Sequence, residues 1–125
     1  MKPVFAPVLT IPDGTINIDF YINGLGATEV MRITNDDGSL HVVELSLEGT
    51  LFHLHQEGRG KFDPKTLKGV SCEIGLFVDD VHAFTDRAIA HGATLVSPVQ
   101  DFDYGYRQGE FDDPFGHRWQ IQKRI

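Results

Sequence analysis

The chain is written twice. Val8-Leu9-Thr10-Ile11-Pro12-Asp13, a helix-length stretch and then Gly26-Ala27-Thr28-Glu29-Val30 recur as Ile74-Gly75-Leu76-Phe77-Val78-Asp79 through Gly92-Ala93-Thr94-Leu95-Val96. In this register Asp13 matches Asp79, and the Gly-Ala-Thr triplet matches outright. A second match, longer by one position, sets Gly49-Thr50-Leu51-Phe52-His53-Leu54 over Gly116-His117-Arg118-Trp119-Gln120-Ile121. Neither half is large enough for a core of its own, so the two must pack together, and a surface where copies meet is a natural place for a ligand.

Each half reads as strand, helix, strand, strand, strand. In the first, Val4–Ile11 is a strand interrupted by Pro7, which suggests an edge or bulge. Asp13-Gly14-Thr15 caps a helix whose apolar residues run from Ile16 to Leu25 at three- and four-residue spacings; Gly24 and Gly26 end it. Asn35-Asp36-Asp37-Gly38 marks a hairpin between strands at 27–34 and 40–47, and a third strand covers Thr50–His55. The second half repeats this order: a strand at 70–78, a helix capped by Asp79 or Asp80, and strands at 93–98, 106–111 and 117–123. The organisation is one domain, with module one at about 1–56, a polar connector at about 57–69 and module two at about 70–125.

Composition excludes several classes. The net charge is −7, and four of the 11 basic residues (Arg59, Lys61, Lys65, Lys68) sit in the connector, so nucleic acid is not an expected partner. No apolar run approaches a membrane span and no secretion signal opens the chain. A single cysteine, Cys72, cannot form an internal disulfide; it reads as a small apolar filler in a cytoplasmic protein. No nucleophile triad and no phosphate loop appears.

Asp13, Phe20-Tyr21 and Leu25-Gly26-Ala27, followed by Val78-Asp79-Asp80-Val81, Gly92-Ala93, Tyr104-Gly105-Tyr106-Arg107 and Asp113-Pro114-Phe115-Gly116-His117-Arg118-Trp119, form an ordered set across the whole chain. That set resembles the glyoxalase, bleomycin-resistance and extradiol-dioxygenase (vicinal oxygen chelate) superfamily. The resemblance implies an α+β fold of two βαβββ modules, each rolling its sheet into half a barrel with its helix on the convex side. It also implies a homodimer with a ligand cavity where two sheets face each other. Whether modules pair within one chain or are exchanged between chains stays open.

Metal-dependent members place four side chains in that cavity, from the first and last strand of each module. Carried onto this chain, the last-strand positions are Gln120 and, by the longer register of the repeat, His53; the first-strand positions are Glu73 and, by the shorter register, Pro7. His53 and Glu73 are good ligands for a divalent ion, Gln120 is a weak one and proline is none. Glu73 is the candidate catalytic base if a metal-dependent lyase, isomerase or dioxygenase is encoded. His55, about 6–7 Å from His53 on one strand face, adds a second imidazole, with His41 or Glu73 to complete a set. His41 and Glu44 are expected on opposite faces of their strand. Tyr104, Tyr106 and Arg107 stand where related proteins line the cavity, the tyrosines with hydroxyl handles and the arginine with a fork for carboxylate or phosphate. Phe52 and Trp119 are expected beneath the helices, and Asp113, Pro114 and Gly116 in a turn. The favoured expectation is a cytoplasmic homodimer that binds or sequesters a small organic molecule, needing no cofactor, with a divalent metal as the alternative and a non-catalytic dimeric scaffold as a third.

Overall fold

The computed structural model describes residues 1–125. Module one comprises β1 (Val8–Ile11), a single π turn (Phe20–Gly24), β2 (Thr28–Thr34), β3 (Leu40–Leu47) and β4 (Thr50–Gln56). The connector holds a one-turn helix, α1 (Pro64–Leu67). Module two follows with β5 (Glu73–Phe77), α2 (Val81–Ala90), β6 (Thr94–Phe102), β7 (Tyr106–Asp112) and β8 (Arg118–Arg124). The sheets run β1-β4-β3-β2 and β5-β8-β7-β6, each with its first and last strands parallel and the rest antiparallel. Both are open, mixed four-stranded sheets of an α+β fold. Identical strand order confirms the duplication.

Strand pairing refines how the copies correspond. Val8 lies across from His53, and Gly75 across from Gln120. The first strands therefore follow the longer register, the one that relates His53 to Gln120. The module-one counterpart of Glu73 is Ala6 rather than Pro7, and neither residue offers a ligand. Pro7 lies just before β1, where its carbonyl accepts the His53 N–H at 2.8 Å.

The two helical segments differ sharply. In α2 the Asp80 carboxylate accepts the Ala83 N–H at 3.0 Å, and Val81, Thr85 and Ala88 are buried along one stripe. In module one the expected helix contracts to one wide turn closed by Leu25 N–H to Phe20 C=O at 3.2 Å. Asn17 supplies the reason: its side chain accepts the Asp19 N–H at 2.8 Å, a local bond that competes with helix entry. Gly24 limits the other end, because a Cβ there would sit 3.1 Å from both His91 Cβ and the Phe20 ring. Ile16 is left exposed, whereas Ile18 and both Phe20 and Tyr21 are buried.

A single core of 18 buried residues draws on both modules. Phe52 of β4 meets Trp119 of β8 edge to face, with centroids 5.5 Å apart, and Tyr21 stacks on Phe115 at 6.3 Å. The modules are thus packed back to back, through the faces that carry the helices. Side chains alternate along a strand, so His53 and Gln120, next to Phe52 and Trp119, project from opposite surfaces of the chain.

One carboxylate ties the halves together. Asp113, 3% exposed, accepts four bonds: from the Tyr21 hydroxyl (2.7 Å), Trp119 Nε1 (3.1 Å), and the backbone N–H groups of Phe115 and His117 (3.0 Å each). Burial raises the Asp113 carboxyl above its ordinary range against those bonds, and pushes the Tyr21 hydroxyl well up as well, with Asp113 adding to the effect. Asp113 therefore shapes its turn, as its sequence context suggests, and clamps module one to module two. His117 adds a second tie, its Nε2 lying 2.7 Å from the Thr10 carbonyl. Cys72 is no core filler: it is exposed just before β5.

Candidate functional site

On the outer face of module one, Glu44 lies across from His53, and Val42 across from His55. Nε2 of His53 is 2.9 Å from Glu44 Oε2, an imidazole–carboxylate pair about three-quarters buried on each side. The other ring nitrogen, Nδ1, is sealed from solvent and has no partner. Between Ile33 and Thr34 the β2–β3 register slips so that Val42 and Leu40 are partners and His41 is extra. This bulge turns His41 to the outer face, where its ring meets that of His55 at 4.9 Å. His41 and Glu44 therefore share a face, contrary to simple alternation.

The outer face of module two is acidic and aromatic. Glu110 lies across from Gln120 on β8, and Glu73 on β5 lies across from Arg118. Contact with Glu73, reinforced by partial burial, raises the Glu110 carboxyl above its ordinary range. Arg118 is held in a fork by Asp112 at 2.9 and 3.2 Å. Toward the far end, Tyr104 bonds Gln108, which donates to Gln122 at 2.8 Å. The Arg124 guanidinium covers Phe77 at 4.5 Å and Tyr106 at 5.5 Å.

The expected site residues thus fall into three groups. His53 and His55 share the module-one face; Glu73, Tyr104, Tyr106 and Gln120 belong to the module-two face. Arg107 belongs to neither, because it follows Tyr106 on β7 and points to the reverse side. There it grips Asp101 at 2.7 and 3.2 Å, which holds that carboxyl below its ordinary range. One chain encloses no hollow containing both His53 and Gln120, since its two candidate walls look in opposite directions.

A divalent ion finds no fitting set within one chain. No three histidine, cysteine or acidic side chains converge to hold one. His53 has one nitrogen engaged by Glu44 and the other sealed, and Glu73 faces a second acid instead of an imidazole. Sequence reasoning missed Glu44 and Glu110, although the repeat connects them: in its shorter register they occupy equivalent positions, each opposite a candidate ligand.

The profile of the Glyoxalase/Bleomycin resistance protein/Dioxygenase superfamily matches residues 6–121, and the chain belongs to that superfamily. An uncharacterised protein of Mycobacterium bovis is 34% identical over 130 aligned residues, covering 100% of this chain and 86% of its own. Among solved structures, TioX from Micromonospora sp. ML1 superposes with a TM-score of 0.70 at 22% identity, covering 98% of this chain and 100% of that one. FosX, a genomically encoded fosfomycin resistance protein from Listeria monocytogenes, gives 0.70 at 15% identity, covering 98% and 93%. These structural likenesses establish the shared fold. No helix is long and apolar enough to cross a membrane.

Proposed function

We propose that this protein is a cytoplasmic homodimer that binds a small organic molecule, without a metal, in chambers formed when the module-one face of each copy closes over the module-two face of the other. The observation that carries this reading is the back-to-back core. It turns both polar, half-buried faces outward and leaves apolar residues uncovered on or beside them: Val8 (58% exposed), Leu51 (38%), Phe77 (49%) and Tyr104 (63%). A second copy covers such surface and places imidazole groups opposite carboxyl groups. Metal independence is supported by His53, whose Nε2 is taken by Glu44 and whose Nδ1 is sealed from solvent, and by Ala6 and Pro7, which leave the first module without a first-strand donor. The Glu73–Glu110 wall and the tyrosine hydroxyls suit a cationic or hydrogen-bonding guest. Fosfomycin resistance in the structurally similar FosX is compatible with small-molecule handling on this fold.

Sedimentation, metal analysis and thermal-shift screening test the reading together. The expected result is a dimer, purified without chelator or nickel, that carries no stoichiometric transition metal and gains thermal stability with members of a panel of basic glycopeptides, α-keto acids and catechols. A stoichiometric metal lost in His53→Ala and Glu73→Ala would establish the metal-dependent lyase, isomerase or dioxygenase instead. A monomer would refute the shared chamber. A dimer silent across the panel would indicate a scaffold.

A further inference from the structure

The connector is more than a polar spacer. Gly58 and Lys61 exchange backbone bonds at 3.1 and 3.0 Å, closing a tight turn with Arg59 at its tip. Arg59 adopts φ 52°, a left-handed conformation that costs a non-glycine residue about 1 kcal/mol, so the closed turn holds its backbone in one place. Together with Val8 and Thr10 of β1 and with His41 and His55, this turn borders a hollow of about 580 Å³ at one end of the module-one face.

The polar groups in that hollow are arranged to receive negative charge. Neither Arg59 nor Lys61 makes an ion pair, although the chain as a whole carries seven excess negative charges. The one acid on the rim, Glu57, turns a carboxylate oxygen toward the Asp13 backbone N–H at 3.3 Å. Gln56 organises both imidazoles: its backbone carbonyl lies 2.7 Å from Nδ1 of His55, and its side-chain oxygen 3.2 Å from Nδ1 of His41. A carbonyl oxygen only accepts, so both Nδ1 atoms carry hydrogen and both Nε2 atoms are left for a ligand. A doubly protonated ring donates through Nε2. A neutral one accepts there from a protonated phosphate or from a hydroxyl beside a carboxylate.

We propose that this hollow is an oxyanion-binding subsite, which takes the phosphate or carboxylate group of a small-molecule ligand between Arg59 and Lys61 on one side and His41 and His55 on the other. Arginine supplies a two-pronged fork and lysine a point charge, both in charge-assisted bonds. The subsite opens on the face used in the proposed chamber and so adds a second recognition element to that reading, yet it is complete in one copy and does not need the dimer. A ligand spanning both would carry its anionic group here and its cationic or hydrogen-bonding part toward Glu73 and Glu110 of the other copy.

Titration of the ¹⁵N-labelled protein with inorganic phosphate, and separately with malonate, tests this by two-dimensional NMR. The expected result is saturable shift changes confined to Thr10, His41, His55, Arg59 and Lys61 with at least one of the two anions. The ratio of the two affinities tells phosphate from carboxylate preference. The double charge reversal Arg59→Glu/Lys61→Glu, on an exposed turn, is expected to weaken binding by more than about 100-fold, since each tenfold loss corresponds to about 1.4 kcal/mol. Circular dichroism checks that this variant folds. Arg107→Ala, which removes a positive charge from the reverse face of module two, is expected to leave anion affinity within about twofold, well under about 1 kcal/mol. No saturable change with either anion overturns the proposal, as does binding retained in the double variant. Sedimentation of the same samples reports the dimer separately, so a monomer that still binds phosphate would sink the shared chamber and leave the subsite standing.

Discussion

Replacing Tyr21 by phenylalanine removes one oxygen from the interior and nothing else. The lost bond, 2.7 Å long and aimed at a buried carboxylate, belongs to the charge-assisted class that contributes about 1.5–3 kcal/mol. Asp113 keeps three other donors and the ring stacking is unchanged, so the loss should lie low in that range, at about 2 kcal/mol. For a chain of this size that corresponds to a fall in Tm of about 8 °C. Asp113→Asn should cost more, about 3–4 kcal/mol, for a reason particular to this site. With the amide oxygen still serving the Phe115 and His117 N–H groups, the amide nitrogen faces Tyr21 and Trp119. A hydroxyl can rotate and accept, but an indole N–H cannot, so Trp119 Nε1 is orphaned. Trp119 is the only tryptophan, and its fluorescence during urea unfolding reports on the network directly. Protein concentration must be fixed, because any self-association contributes to apparent stability. The reasoning fails if Tyr21→Phe costs less than about 0.5 kcal/mol. It also fails if Asp113→Asn is no worse than Tyr21→Phe, or if the two changes are additive, since groups in one network should couple by at least about 0.5 kcal/mol.

Three further outcomes are expected. Gly109→Ala brings a Cβ to 2.7 Å from Val99 Cγ2 and 3.3 Å from the Val99 backbone, and should destabilise by about 1–3 kcal/mol in thermal unfolding. Glu110→Gln bears on pH. A carboxyl raised in the folded state contributes stability present below its ordinary value of 4.5 and lost as pH rises through the raised one, so the variant should lose less stability than the wild type as pH increases from about 4.5; parallel stability–pH curves would contradict this. Arg107→Ala, on the reverse face, should leave every ligand-induced thermal shift unchanged, whereas Tyr106→Ala should diminish those arising from the module-two face.

Much of the architecture was legible because duplication is a strong signal for the shared order of elements, while the Asn35–Gly38 hairpin and the Asp80-capped α2 are legible from their own residues. What escaped reading has local physical causes. Leu40, Val43 and Leu45 all point inward, and the three-residue step between the first two signals the bulge that turns His41 outward. Asn17 offered its side chain to the backbone and cut short a helix whose apolar spacing looked adequate. Tyr106 and Arg107 are consecutive on a strand, so the alternation rule alone separates them. The direction in which the modules pack was not legible, because Phe52 and Trp119 are buried under either arrangement; only their mutual contact distinguishes the two.

The back-to-back core has a consequence for how defects would combine. In the proposed dimer, two copies closing over each other would form two equal compartments, each built from one histidine-bearing wall and one acidic wall of different parentage. A lesion in either wall, present in both copies, spoils both compartments. Mixing a chain damaged only at His53 with one damaged only at Glu110 would instead produce hybrids in which one compartment collects both lesions and the other is intact. Two inactive preparations would then regain, in their hybrids, half the binding capacity of the unaltered protein, a recovery that a self-contained cavity could never show.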